Sequence, residues 1–389
     1  MPIEVLVSSI ARRAGSTMPA STIGPPTSAP ASTSVPYLDV ASPGSPPAPT
    51  PTRARRGPSK CGGAVRSSAV FGALLDKSLV FSFDRTGYAR HARAFAPADL
   101  AVDLTGRVVL VTGAGGGLGL AAARALAALG ASVGVLVRDA TRGEAARAAV
   151  EAHAGRGRTF VELLDVASRA SIDAFAARWS ARPIDVLVHN AGVLPLAREH
   201  VPDGLERAWA TNVVGPQRLT HALAPALAAA TAPRVIWVSS GGMYGRRVAL
   251  DELVAPRESY DGVVTYALTK RAQVILAGAW AARDPHAWHA SMHPGWADTP
   301  GVQGSLPTFR SLTRTILRTP EMGADTIVWL AARAQIPGPS GRFWFDRREA
   351  PLHLGAWSRD TREDRANLWR TVCQAAGLPD LPFPGDASR

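Results

Sequence analysis

Tyr266 and Lys270 stand four residues apart in the run Thr265-Tyr-Ala-Leu-Thr-Lys270. On a helix that spacing places one side chain above the other, so an ammonium can stabilise the neighbouring phenolate. A phenol titrates near ~10 when unperturbed, and a fixed positive charge lowers that value. The pair is therefore suited to proton transfer near neutral pH. Composition sharpens the reading: the chain has 43 basic residues, of which only Lys60, Lys77 and Lys270 are lysines. A lysine at this spacing in an arginine-rich chain points to chemistry that needs a compact ammonium rather than a planar fork.

A second group could bind a ligand on which such a pair acts. An apolar strand runs into Thr112-Gly-Ala-Gly-Gly-Gly-Leu-Gly119, and an Ala/Leu helix follows. Glycines let the backbone approach a pyrophosphate closely, and the helix N-terminus offers free N–H groups and a positive dipole end. Strand before and helix after supply the context that a dinucleotide site requires. The second strand ends Leu136-Val137-Arg138-Asp139. Arg138 there favours the 2′-phosphate of NADP, while Asp139 as a ribose partner would leave NAD open. Asp165-Val166, Asn190-Ala191-Gly192, Ser239-Ser240 and His293-Pro294-Gly295 each end a further strand, at the edge where open α/β sheets bind ligands.

The elements that must position these groups alternate. Strands are expected at Arg107–Val111, Ser132–Val137, Thr159–Leu164, Asp185–His189, Arg234–Ser239, Trp288–Met292 and Arg342–Phe345. Helices are expected at Leu118–Leu129, Ser171–Ser180, Gly204–Ala230, Val264–Ala282, Glu321–Ala334 and Arg362–Ala376. Alternation of this kind predicts an α/β fold, a single doubly wound Rossmann domain with a seven-stranded parallel sheet, over residues 101–389. Residues 70–100 form an N-terminal helical extension in which Phe71, Leu74, Leu75, Leu79 and Phe83 make an amphipathic stripe. Membrane-surface attachment through it is disfavoured, because Asp76, Lys77, Asp84 and Arg85 mix signs. Residues 1–69 hold twelve of the 31 prolines and read as a disordered tail. Its arginines fit a transit peptide, but its prolines break the helix such peptides use. An extension without function, such as a start codon assigned too early, is the preferred reading.

The formal charge is +12, of which five belong to the tail, so nucleic acid is not an expected partner of the folded domain. Cys61 and Cys373 support neither a disulfide framework nor a thiolate metal site and fit a reducing, cytoplasmic setting. No apolar run reaches the ~18 residues of a spanning helix. His289 and His293 share a strand face without a third metal ligand. Ser239 and Ser240 lack the turn motif of a serine hydrolase.

The order TGAGGGLG, HNAG, ATNVVG, VSSGG and YALTK resembles the short-chain dehydrogenase/reductase family over about residues 100–350. Segments 291–302, GADTIVWLA, SGRFWFDR and GYARHARAF (87–95) are similar to one of its subgroups. The resemblance implies an oxidoreductase moving a hydride between NADP(H) and a small-molecule carbonyl or alcohol. Tyr266 would be the acid/base, Lys270 its activator and ribose ligand, Ser240 a donor to the substrate oxygen, and Asn212 the holder of a proton-relay water. Gly113, Gly117, Leu118 and Gly119 would cradle the pyrophosphate. Asp165, Val166, Asn190, Ala191 and Gly192 would border the adenosine, with Pro294, Gly295 and Thr299 on the opposite wall. Pairing of two chains through the helices containing Tyr266 and residues 204–230 is also implied. A protein that senses NADP(H) or scaffolds a partner without turnover is the rival reading.

Two features depart from the family pattern: His189 replaces an Asn, and Ser240 and Tyr266 are twenty-six positions apart. The longer separation lets Tyr244, Arg246, Arg247 and Tyr260 shape a substrate mouth. Leu194, Met243, Trp296 and Phe309 are the pocket-facing apolar candidates, and they point to an apolar substrate.

Overall fold

A computed structural model describes residues 79–155, 158–180, 182–254, 260–335 and 337–384. The tail over 1–69, Cys61 and the first part of the amphipathic stripe, Phe71, Leu74 and Leu75, lie outside the described residues. The stripe's C-terminal end forms two short helices, Leu79–Phe83 and Arg85–Ala92, hinged at Asp84, whose carboxylate caps the second by accepting from the Gly87 N–H.

One sheet organises the domain: β1 Val108–Thr112, β2 Ser132–Val137, β3 Thr159–Leu163, β4 Val186–His189, β5 Arg234–Val238, β6 Trp288–Met292, β7 Arg342–Phe345 and β8 Arg348–Glu349. The spatial order is β3-β2-β1-β4-β5-β6-β7-β8, with every pair parallel except β7 and β8. The fold is the expected α/β Rossmann architecture, with eight strands rather than seven. The eighth is two residues long and has no apolar alternation to announce it. It pairs back through a two-residue turn in which Asp346 and Arg347 both adopt positive φ, 46° and 59°, a turn whose twist matches a hairpin.

Both faces of the sheet are covered, so strand residues feed two cores alternately. Leu110, Leu136 and Trp237 enter one, with Phe175, Leu268 and Trp369 from the helices Arg169–Trp179, Gly262–Arg283 and Arg362–Ala375. Val109, Val135 and Ile236 enter the other, with Leu126, Val150 and Ile327 from Gly117–Ala128, Ala140–Ala154 and Pro320–Ala332. The helix Ala140–Ala154 was not among those expected. Its run is alanine-rich with little apolar contrast, and Asp139 starts it by accepting from the Arg142 N–H.

The stretch expected as one helix over Gly204–Ala230 is broken into Arg207–Trp209, a π-helical turn Ala210–Val214, Gly215–Ala222 and Ala224–Ala228. Two prolines account for the breaks. Pro216 and Pro225 supply no N–H to the carbonyls four residues earlier, Asn212 and His221. The start is fixed by Glu206, whose carboxylate accepts from the N–H groups of Ala208 and Trp209.

Candidate active site

Strand order reverses between β1 and β4, and the chain opens a crevice there at the C-terminal strand edge. Thr112 ties its two sides: its hydroxyl donates to the Val188 carbonyl and accepts from the N–H groups of Asn190 and Ala191. The Asn190 amide donates in turn to the Thr112 and Gly113 carbonyls. His189 does no bracing toward β1. It is buried, meets the Thr220 hydroxyl at 2.7 Å, and burial pushes its imidazole down to about 3.

Above Thr112 the glycine turn forms a shallow cradle. Gly113 and Gly117 have φ of +66° and +56°, and a Cβ on Gly117 would stand 3.3 to 3.4 Å from Pro300 and Thr299 on the opposite wall. Gly119 lies one turn in, where a Cβ would come within 2.5 Å of the Asn190 amide, so it serves close packing rather than the cavity surface. No side chain caps Gly116, the first residue before the helix Gly117–Ala128. The first-turn N–H groups are therefore left for a ligand. The residues present fit the pyrophosphate of a dinucleotide.

A cavity of about 920 Å³ runs from this cradle along the sheet edge. At one end lie Arg138, Arg142, Asp165 and Val166. Asp139 uses a carboxylate oxygen to cap the Arg142 N–H at 2.7 Å, while neither guanidinium makes an ion pair among the described residues. Arg142 was missed in the sequence. Its position three residues after Asp139, in the first turn of the next helix, is the signal that could have found it. Leu118, Asn190, Ala191, Gly192, Pro294, Gly295 and Thr299 line the middle.

Ser240, Tyr266 and Lys270 line the cavity beyond them. Ser240 follows β5 and faces Tyr266 across the gap, close enough to lower its phenol. Tyr266 sits in the first turns of the helix Gly262–Arg283, whose N-terminus Asp261 caps by accepting from the Val263 and Val264 N–H groups. Burial pushes the Tyr266 phenol up to about 12, against the lowering effect of the Ser240 hydroxyl. Burial also pushes Lys270 down to about 7. Ser240 is the neighbour that lowers the phenol in this arrangement. The lysine Nζ lies 5.4 Å from the Tyr266 ring centre and donates to the Val238 carbonyl at 2.9 Å and to Gln273 Oε1 at 3.0 Å. Asn212 stands behind the cavity wall. Its amide accepts from the Val193 N–H and donates to Val193 and Thr269, and its main-chain carbonyl accepts from Gln273.

Leu194, Trp296 and Phe309, with Leu306 and Leu317, make the far end apolar. Met243 does not join them. It is fully buried, its sulfur 3.3 Å from the Arg271 guanidinium, because the turn Gly241–Gly245 faces it inward. The four residues expected at the mouth also go elsewhere. Tyr244 donates to the Pro351 carbonyl and Tyr260 to Glu206, Arg247 pairs with Asp364, and Arg246 pairs with Glu252. Phe83 of the N-terminal extension packs beneath this turn, where a Cβ on Gly241 would come within 2.5 Å of its ring. No cluster able to hold a metal ion occurs among the described residues. His289 instead stacks on Trp280 at 5.9 Å, and His293 is enclosed by aromatic rings.

Residues 107–249 match the family model described as short chain dehydrogenase. The chain is 40% identical over 274 residues to "Dehydrogenase/reductase SDR family member 12" of Bos taurus, covering 70% of this chain and 86% of that protein. It is 35% identical over 286 residues to "Polyprenol dehydrogenase" of Mus musculus, covering 70% and 84%. A short-chain type dehydrogenase/reductase from Mycobacterium marinum superposes with a TM-score of 0.53 at 25% identity, covering 64% and 96%. The subgroup resembled by segments 87–95 and 291–302, GADTIVWLA and SGRFWFDR is the one that holds the bovine relative. With the glycine cradle, the crevice and the serine, tyrosine and lysine on one cavity, these matches establish that the chain belongs to the short-chain dehydrogenase/reductase family of NAD(P)-dependent oxidoreductases.

Proposed function

We propose that the chain is an NADP(H)-preferring carbonyl reductase, working in reverse as an alcohol dehydrogenase, on an apolar substrate with Tyr266 as acid/base. The observation that carries this reading is the Ser240–Tyr266 pair opening onto the cavity that begins at the glycine cradle. A bound nicotinamide supplies the hydride. Tyr266, held protonated by burial, gives its proton to the carbonyl oxygen as negative charge develops there. Ser240 is a neutral donor to the same oxygen. Negative charge brought into the cavity favours the ammonium form of Lys270. Leu194, Trp296 and Phe309 hold the apolar part of the substrate and exclude water. The name of the mouse relative supports a substrate of that character. Cysteine use supports a reducing, cytoplasmic setting. The test is NADPH and NADH oxidation with a panel of apolar aldehydes and ketones.

Arg138 and Arg142 are assigned to the 2′-phosphate because both line the adenosine end and neither guanidinium makes an ion pair among the described residues. Replacing either by Ala is expected to lower kcat/KM for NADPH by about tenfold and to leave NADH within about twofold. Equal losses with both cofactors would remove that assignment.

The resemblance implies pairing of chains, but the structure supports a monomer. From Thr265 to Ala277 every residue except Tyr266 is buried within the one chain. The C-terminal helix Arg362–Ala375 packs on this helix and on Gly215–Ala222. Trp369 lies 5.6 Å from Trp280, and Gln217 donates to the Cys373 sulfur. Light scattering is expected to give the single-chain mass of 40.8 kDa. Twice that mass would mean a different pairing surface.

A further inference from the structure

The lysine of the site is held by a residue that no motif announces. Pro216 stands four residues after Asn212, so the Asn212 carbonyl lacks an α-helical N–H donor, and the chain widens there into the π turn Ala210–Val214. That carbonyl accepts from Gln273 Nε2 at 2.8 Å. Gln273 is fully buried and lies three residues beyond Lys270, on the same face of the helix. Its Oε1 accepts from Lys270 Nζ at 3.0 Å. The amide can take only this orientation, because a carbonyl needs a donor at one end and an ammonium needs an acceptor at the other. With Val238 taking a second bond at 2.9 Å, one of the three Nζ donors remains. It is at the cavity wall, where Nζ is 3.2 Å from the place a Cβ on Gly192 would occupy.

We propose that Gln273 is the positioning residue for Lys270: it ties Nζ to the Asn212 main-chain carbonyl, which Pro216 leaves without an α-helical donor, and so fixes where the ammonium stands relative to Tyr266. The proposal rests on the reading of Tyr266 and Lys270 as the proton-transfer pair. Gln273 touches no reacting atom and acts through the lysine. None of the ionisable groups on the elements packed against this helix contributes to the displacement of Lys270 toward neutrality: Arg207, Arg234, Tyr244 and His289, then Asp251 and Glu252 of Leu250–Val254, and Arg362, Glu363, Asp364, Arg365, Arg370 and Cys373 of the C-terminal helix. Neither do Tyr266 and Arg271 on its own turns, the latter facing Asp360. Burial is the cause, and the two oxygens that accept from Nζ, those of Gln273 and Val238, favour the charged form.

The chain has only three lysines, so the full-length protein labelled with ¹³C at lysine Cε gives few resonances, and Lys270→Arg identifies the one sought. Its titration midpoint is expected to fall by about one pH unit in Gln273→Met, which keeps the volume and removes both bonds. In Gln273→Glu, which keeps an acceptor and adds charge, the midpoint is expected to rise above that of the wild type. kcat/KM is expected to fall about tenfold in Gln273→Met while the melting temperature stays within a few degrees. A folded Gln273→Met protein with an unmoved Lys270 midpoint overturns the proposal. If Gln273→Met does not fold, an unmoved midpoint in Gln273→Glu overturns it equally. Neither titration needs turnover, so an activity screen that finds no substrate bears on the reaction, and a stationary midpoint bears on Gln273.

Discussion

Tyr266→Phe is expected to lower kcat for carbonyl reduction by about a thousandfold and to leave NADPH affinity within about twofold. Phenylalanine keeps the ring against Lys270 and the packing of the first helical turns. It removes only the hydroxyl that Ser240 meets and that faces the cavity. The phenol is pushed up to about 12 by burial, so it is protonated throughout the neutral range and ready to act as the acid. The sign for the two directions follows. Reduction needs the protonated form and should hold its rate as pH rises through neutrality. Alcohol oxidation needs the phenolate and should rise with pH over the same span. NADPH absorbance read across pH, with NADPH binding measured calorimetrically, checks both. A Tyr266→Phe protein that keeps more than about a tenth of the rate would assign the proton to another group.

Asp346→Ala is expected to destabilise the protein by about 3–5 kcal/mol, because it leaves a buried guanidinium without its counter-charge. Arg318 is 1% exposed and binds both Asp346 oxygens, at 2.6 and 2.8 Å. It also donates to the carbonyls of Ser82, Phe83 and Asp84. His91 meets the same carboxylate at 2.6 Å. The cluster therefore nails the N-terminal extension to the β7–β8 turn, and Phe83 with it under Gly241. Burial raises the Asp346 carboxyl, and the bonds from His91 and Arg318 override it, holding the group below its ordinary 3.8. The stabilisation is full at neutral pH and is lost only as acid titrates the carboxylate below that value. Denaturant unfolding measures the loss, and hydrogen exchange over residues 79–95 should report release of the extension. A loss under about 1 kcal/mol would mean that apolar packing around Phe83 holds the extension by itself.

The parts of this molecule that were legible in its sequence are those where local pattern and tertiary need coincide. Strands buried on both faces appear as short apolar runs, and the Ser132–Val137, Trp288–Met292 and Arg342–Phe345 boundaries were read to the residue. The glycine turn was legible because Gly113 and Gly117 sit where other residues would strain or fill the cradle. β8 was not, since its two residues are specified by a turn of Asp346 and Arg347 without glycine. The broken helix after Gly204 was visible in Pro216 and Pro225, but alanine-rich flanks mask a break when periodicity alone is followed. Met243 and Tyr244 were read toward the cavity because apolar and aromatic types suit a pocket. Which way a turn faces its side chains depends on Arg271, Pro351 and Phe83, all distant in the chain. Gln273 had no motif, and its only traces are the three-residue step from Lys270 and a proline four beyond Asn212.

Transfer of deuterium from NADPH labelled at the nicotinamide C4 position to an apolar aldehyde or ketone tests the central claim most directly. The wild-type chain is expected to yield an alcohol that carries the label on the former carbonyl carbon, and Tyr266→Phe to yield almost none. Tight NADPH binding by the wild type, with no label in the product of any carbonyl offered, would contradict the account and leave a protein that binds the dinucleotide without using it.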